Sequence, residues 1–314
     1  MKSNDALDLV IIGGGPAGLA AGLYASRARL NTILVEKTGF GGQLLKYEKV
    51  DNYPGFPDGI TAFDLSDLFS RHAKKFGLET RSLEVQSIEV DGGEKTVRCD
   101  GADLKTRAII LATGASPMQL RIPGETELTG RGVSYCAVCD GPFFREEVVA
   151  VVGGGDTAVE EAIYLTKFAK KVYLIHRRDS LRAMKILQEE AFANEKIEVV
   201  WNSVATSIEG GDRGVERMAL KNVKTGEASS LELTGVFVFV GLHPATVFLP
   251  PSVNLDEHGF VITNEHMETS VPGIYAAGDC RSKDLRQIVT AVGDGAAAAY
   301  QAGRYIEKLH MGIL

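Results

Sequence analysis

Cys136 and Cys139 stand two residues apart, with Ala137 and Val138 between them and Asp140 directly after. C-x-x-C spacing lets two sulfurs reach bonding distance across a turn. Thiols in such pairs are commonly acidified enough to act as nucleophiles near neutral pH. A carboxylic acid beside them in a dry site can take up and return the thiol proton. The competing use of the pair is half of a zinc site, which needs about four ligands. Cys99 and Cys280 each stand alone in the sequence, and no histidine pair has ligand spacing. Redox chemistry by Cys136, Cys139 and Asp140 is therefore expected, and no metal.

Two glycine clusters could cradle phosphates. Gly13-Gly14-Gly15-Pro16-Ala17-Gly18 fits G-x-G-x-x-G between an apolar run and a helical pattern. Gly13 permits the tight turn, Gly15 close approach to a pyrophosphate, and Gly18 close packing of helix on strand. Pro16 suits the first helical turn. Glu36 stands 23 positions after Gly13, where a carboxylate accepts from a ribose hydroxyl. The second cluster, Gly153-Gly154-Gly155-Asp156-Thr157-Ala158, has the same form with Ala last. The same count of 23 positions from Gly153 ends on His176, followed by Arg177, Arg178 and, further on, Arg182. Guanidinium groups bind a 2′-phosphate where a carboxylate would repel it. The first site should hold a nucleotide with a free ribose and the second NADP(H).

Elements that position these groups follow from the apolar pattern. Leu9–Ile12, Thr32–Glu36, Ala108–Gly114, Lys171–His176, Val236–Gly241 and Gly273–Ala277 read as strands, with another ahead of Gly153. Helices are expected over Pro16–Ala28, Thr157–Phe168 and Thr290–Leu309. Strand, glycine turn, helix and strand occur twice, and this crossover demands a parallel sheet each time. The expected fold class is α/β, with two Rossmann-like dinucleotide-binding domains. Crossings at Ser116-Pro117 and His243-Pro244 would insert the second into the first. One domain would then span 1–116 and 246–314 and the other 117–245, with a two-stranded hinge between. The dithiol and the second fingerprint share one domain, so they are expected to take turns at a cofactor held by the other.

Composition narrows the partners. A length of 314 residues suits about two domains. The net charge of −7 and the lack of a basic block argue against nucleic acid. No apolar run approaches the roughly 20 residues of a spanning helix, and no signal segment is evident. The expected place is the cytoplasm, where C-x-x-C is redox-active or metal-binding and not a structural staple.

With these residues in hand, the chain resembles low-molecular-weight thioredoxin reductase nearly end to end. The resemblance is carried by GGGPAG (13–18), GGQL (41–44), NYPGFP (52–57), ATGA (112–115), CAVCDG (136–141), GGGDTAVEEA (153–162), HRRDSLRA (176–183), GIYAAGDCR (273–281) and RQIVTAVGDGAAAA (286–299). It implies FAD in the first domain, NADPH in the second, a homodimer, and thioredoxin as the disulfide partner. It further implies that Cys139 faces the flavin, that Cys136 attacks the partner and that Asp140 is the acid. Gly41, Gln43, Asn52, Thr113, Gly114, Gly278, Asp279, Arg286 and Gln287 fall in segments that line the flavin in such enzymes. Asp279 matches the contact to the ribityl–phosphate chain, and Gln287 the pyrimidine end. Reduction of a glutaredoxin-like or peroxiredoxin-linked partner stays open, as does a non-catalytic sensor that binds NADPH without turnover.

Overall fold

The fold is described from a computed structural model covering residues 7–46 and 49–313. Two compact units share the chain: one runs up to Ser116 and resumes over His243–Leu314, and the other is Pro117–Leu242. Each unit ties its own ends of the crossings together. Ala245 N–H donates to Gly114 O at 3.2 Å in the first unit, and Met118 N–H donates to Gly241 O at 2.9 Å in the second.

In the first unit, Leu7–Ile12 lies at the middle of a parallel core. Thr32–Glu36 and then Glu79–Ser82 extend it on one side. On the other side lies the long strand Asp103–Leu111. The far edge of that strand is shared: its first half pairs antiparallel with Glu94–Cys99 and its last half pairs parallel with Ile274–Ala276. Apolar residues run without alternation because both faces are covered. Leu9, Ile11 and Leu34 pack under the helices Pro16–Arg27 and Ile288–His310. Val10, Ile12 and Ile33 pack on the opposite side against Val253, Val261 and Val271.

The two helices of that unit touch through small residues. A Cβ on Gly295 would lie 2.1 Å from Ala17 O, so only glycine allows this crossing. Gly293, two residues earlier and on the opposite face of the helix, has open space at that position.

The second unit repeats the scheme. Its five strands run in the order Val133–Ser134, Gly235–Phe239, Val148–Gly153, Lys171–Ile175 and Ile197–Val200, all parallel. Helices Asp156–Leu165 and Lys185–Ala193 cover one face through Ala162, Leu165 and Ala191. A three-stranded antiparallel sheet, Ser203–Gly211, Gly214–Asn222 and Ala228–Glu232, covers the other through Ile208, Met218 and Leu220.

Several bounds differ from the sequence expectation: the second crossing falls at Leu242–His243 instead of 245–246, and the helix expected over Thr157–Phe168 is Asp156–Leu165. The strand expected over Ala108–Gly114 begins at Asp103 and ends at Leu111. Beyond it the chain turns, with Gly114 at φ +70°. Helices Ala62–Lys75 and Lys185–Ala193 and the antiparallel strands were not foreseen.

Candidate active site

The first glycine turn opens at Gly13, held at φ +110° because a Cβ there would lie 2.3 Å from Ala112 O. Gly18 leaves no room either, since its Cβ would fall 1.9 Å from Gly13 O. Gly15, the N-cap of the helix, faces open space where a side chain would stand. A phosphate can therefore come up to bare N–H groups at the helix N-terminus. Glu36 ends the second strand and turns back on this loop. Its Oε2 accepts the Gly14 N–H at 2.7 Å and its Oε1 the Thr38 N–H at 3.0 Å. The carboxylate is thus fixed beside the turn, with lone pairs to spare for a ribose hydroxyl.

Other expected residues gather around the same helix end. Gly41, at φ +122°, donates its N–H to Gly14 O at 2.9 Å. Gly278, at φ +76°, begins the short turn Gly278–Cys280, and a Cβ on it would lie 2.8 Å from the Ala17 Cβ. Gln43 Nε2 donates to Ser116 Oγ at 2.9 Å. Thr113 and Gly114 follow the long strand, with Thr113 Cα 3.1 Å from the place of a Gly13 Cβ. Asn52 Nδ2 donates to Gln287 Oε1 at 3.0 Å. Gln287 is also the N-cap of the closing helix, in a reciprocal capping box with Thr290. Arg286 turns to the Phe260 ring, 4.2 Å from its centroid.

Asp279 is the strongest sign that this cradle is built for a polar ligand. Its Oδ1 is buried without a hydrogen-bond partner among the described residues. Lys283 Nζ stands 3.6 Å away. Burial raises the Asp279 carboxyl above the usual range, against the pull of Lys283 and Arg286. A buried orphan acceptor is costly unless a ligand supplies a donor. Asp294, which lies in the resemblance-bearing segment 286–299 without being singled out there, supports the turn from the closing helix. Its Oδ2 accepts the Gly278 N–H at 3.0 Å, Arg281 Nη1 at 2.9 Å and Lys283 Nζ at 3.1 Å.

The second glycine turn is closed by a different device. His176 Nδ1 donates to Gly153 O at 2.9 Å, and its ring fills the space over Gly154, where a Cβ would lie 2.1 Å from Nδ1. The ring is 5 % exposed, so His176 braces the loop from inside. Burial lowers its pKa, keeping it neutral near pH 7. Arg177, Arg178 and Arg182 are exposed, as are Asp156 and Thr157 at the start of the helix. The arginine turn is held by Asn202 N–H donating to Arg178 O at 3.1 Å. Gly155, like Gly15, is an N-cap with little near it, Arg182 Nη2 being 3.9 Å from the place of its Cβ.

Cys136 and Cys139 form a disulfide in the same unit, with Cα atoms 5.3 Å apart. Cys136 caps the short helix Ala137–Asp140, its Sγ accepting the Cys139 N–H at 3.1 Å. Ala137 between them is fully buried in the core with Val149 and Val159. Asp140 is pushed up by burial and pulled back by a hydrogen bond from Ser134. Ser134 is the residue of this site that the sequence did not single out, though it lies only two places before Cys136. One residue nearer, Tyr135 OH donates to Glu125 Oε1 at 2.9 Å. Glu125 is 1 % exposed and also accepts the N–H groups of Leu120 and Arg121 at 2.8 and 2.7 Å. The backbone entering the disulfide is thereby anchored.

The second unit thus holds a disulfide with a half-buried acid beside it, and each unit carries a glycine turn at a helix N-terminus. The family model for pyridine nucleotide-disulphide oxidoreductases matches residues 7–295. The chain is 47 % identical over 313 residues to the thioredoxin reductase of Bacillus subtilis, covering 98 % of each. It is 50 % identical over 304 residues to that of Listeria monocytogenes, covering 96 % of this chain and 94 % of the relative. The crystal structure of thioredoxin reductase from Streptococcus pyogenes superposes with a TM-score of 0.93 at 48 % identity, covering 98 % of this chain and all of that one. This chain belongs to the pyridine nucleotide-disulphide oxidoreductase family, among its thioredoxin reductases.

Proposed function

We propose that the chain, as a cytoplasmic homodimer, uses NADPH to reduce the disulfide of thioredoxin through FAD and the Cys136–Cys139 pair. The observation that carries this is the formed disulfide beside half-buried Asp140, on the unit that holds the arginine-flanked glycine turn. No helix among the described residues is long and apolar enough to cross a membrane.

FAD fits the first unit. Gly15 leaves room for a pyrophosphate, Glu36 is fixed for a ribose, and the orphan Asp279 Oδ1 suits a ribityl hydroxyl. NADPH fits the second, where Gly155 leaves similar room and Arg177, Arg178 and Arg182 are free to meet a 2′-phosphate. Bound FAD supplies the two-electron link between NADPH and the disulfide. In the dithiol form, the Cys136 thiolate attacks one sulfur of the partner disulfide and expels the other as thiolate. Cys139 then attacks Cys136 Sγ, closing the enzyme disulfide and releasing the partner as a dithiol. Asp140 holds and returns the proton that these exchanges move between thiol and thiolate.

The test is NADPH oxidation by the purified protein with and without thioredoxin, with NADH in parallel. Rapid thioredoxin-dependent oxidation of NADPH, well above that of NADH, is expected. Cys136→Ser and Cys139→Ser should keep flavin reduction by NADPH and lose thioredoxin turnover. Full turnover by either variant removes the dithiol from the reaction. Flavin reduction without acceleration by thioredoxin leaves the cofactors in place and points to another disulfide partner.

A further inference from the structure

The segment Leu181–Met184, between the arginine turn and helix Lys185–Ala193, alternates in exposure. Leu181 and Ala183 are buried, whereas Arg182 and Met184 face out. Three sets of hydrogen bonds hold it from different sides. Arg182 N–H donates to Gly154 O at 2.7 Å. Met184 N–H donates to Asp156 Oδ1 at 2.7 Å. From beneath, Gln188 Nε2 donates to Ala183 O at 2.6 Å and to Leu181 O at 3.4 Å.

Gln188 is 8 % exposed and sits on the face of its helix that carries buried Ala191. An aliphatic side chain would fill such a place without a polar group to satisfy. The amide instead engages the carbonyls of Leu181 and Ala183, so the Leu181–Arg182 peptide plane is held at its carbonyl by Gln188 and at its N–H by Gly154, and the Ala183–Met184 plane is held at its carbonyl. The Arg182 guanidinium then emerges at the N-terminus of helix Asp156–Leu165, with Nη2 3.9 Å from the place of a Gly155 Cβ. Arginine is long and exposed, and fixing its backbone removes part of the freedom lost on binding an anion.

We infer that Gln188 is a positioning residue for 2′-phosphate recognition, acting through the Leu181 and Ala183 carbonyls to set Arg182. This rests on the second glycine turn being the NADPH site.

Titration calorimetry on the FAD-loaded full-length protein with NADP⁺ and with NAD⁺ tests both statements. Wild type should bind NADP⁺ more tightly; no preference would overturn the NADPH assignment itself. With that preference present, Gln188→Met should weaken NADP⁺ about five- to tenfold, the scale of one buried hydrogen bond, and leave NAD⁺ within about twofold. An unchanged NADP⁺ to NAD⁺ ratio overturns the positioning role. Equal loss for both nucleotides overturns it too, because Gln188 would then only support the fold. Gln188→Leu, likewise apolar and without the donor, carries the same expectation if the methionine variant does not fold.

Discussion

Ser134 Oγ stands 2.5 Å from Asp140 Oδ2 and donates to it, while the same oxygen accepts the Cys136 N–H at 3.1 Å. One buried hydroxyl thus ties the acid to the backbone of the first cysteine. Burial raises the Asp140 pKa and the Ser134 bond lowers it. Ser134→Ala should therefore raise it further. A proton donor works only below its pKa, so the alkaline limb of thioredoxin reduction should move to higher pH. The pH profile of kcat/KM reads this directly, and an unmoved limb would separate Ser134 from the acid.

Glu161 gives a stability that depends on pH. Burial, and next the neighbouring Glu160, raise its pKa from 4.5 to about 7. Between those values the folded protein holds a proton that the unfolded chain has released. The contribution is fully present below pH 4.5 and lost as pH rises through about 7. Allowing for partial solvent screening, the loss is about 1–3 kcal/mol. Glu161→Gln should remove this slope and be the more stable protein at alkaline pH. Urea unfolding of both proteins on either side of the window checks it.

Two glycines of the closing helix should respond to alanine with opposite signs. Gly295→Ala drives a methyl into Ala17 O and should cost about 1–3 kcal/mol. Gly293→Ala meets open space and should gain about 0.5–1 kcal/mol from helix propensity. Thermal unfolding of the two variants against wild type decides it. A Gly295→Ala variant as stable as wild type would mean that the helices do not cross at Gly295.

Asp279→Asn should separate stability from binding. With FAD removed, replacing a carboxyl whose pKa burial raises by a neutral amide removes the cost of a desolvated charge and should raise the unfolding temperature. Flavin affinity should fall about tenfold or more, since a charged acceptor becomes neutral. Fluorescence titration with FAD and a thermal scan of the stripped protein report the two effects. A less stable stripped variant would show that Asp279 supports the fold instead.

Much of the fold could be read from sequence because buried parallel strands leave continuous apolar runs and glycine turns punctuate them. Thr32–Glu36 has the expected bounds, and Pro16–Arg27 ends one residue earlier than expected. The antiparallel strands stayed hidden because residues such as Lys95 break their pattern. Lys95 is 1 % exposed, with Nζ donating to Arg107 O at 3.0 Å. Nothing in a lone lysine announces burial, since its partners are backbone carbonyls brought in by the neighbouring strand. The same holds for Ser134, Gln188 and Asp294, whose partners are set by tertiary packing. Spacing marked the cysteines, whose partners lie within one short segment, and the glycines, whose clusters follow apolar strand runs.

The two glycine turns are latched with opposite polarity. At the same distance along the chain, Glu36 accepts from an amide of its loop, whereas His176 donates to a carbonyl of its own. With the arginines meeting a 2′-phosphate as proposed, nucleotide preference would not be a trait detachable from the latch. Replacing His176 by an acid would set a carboxylate against the Gly153 carbonyl and empty the space over Gly154. Arginine replacements alone would abolish one preference without installing the other. A lineage moving from one cofactor to the other must alter latch and arginines together or cross a less stable intermediate. That barrier gives two loops of common form a lasting reason to stay distinct.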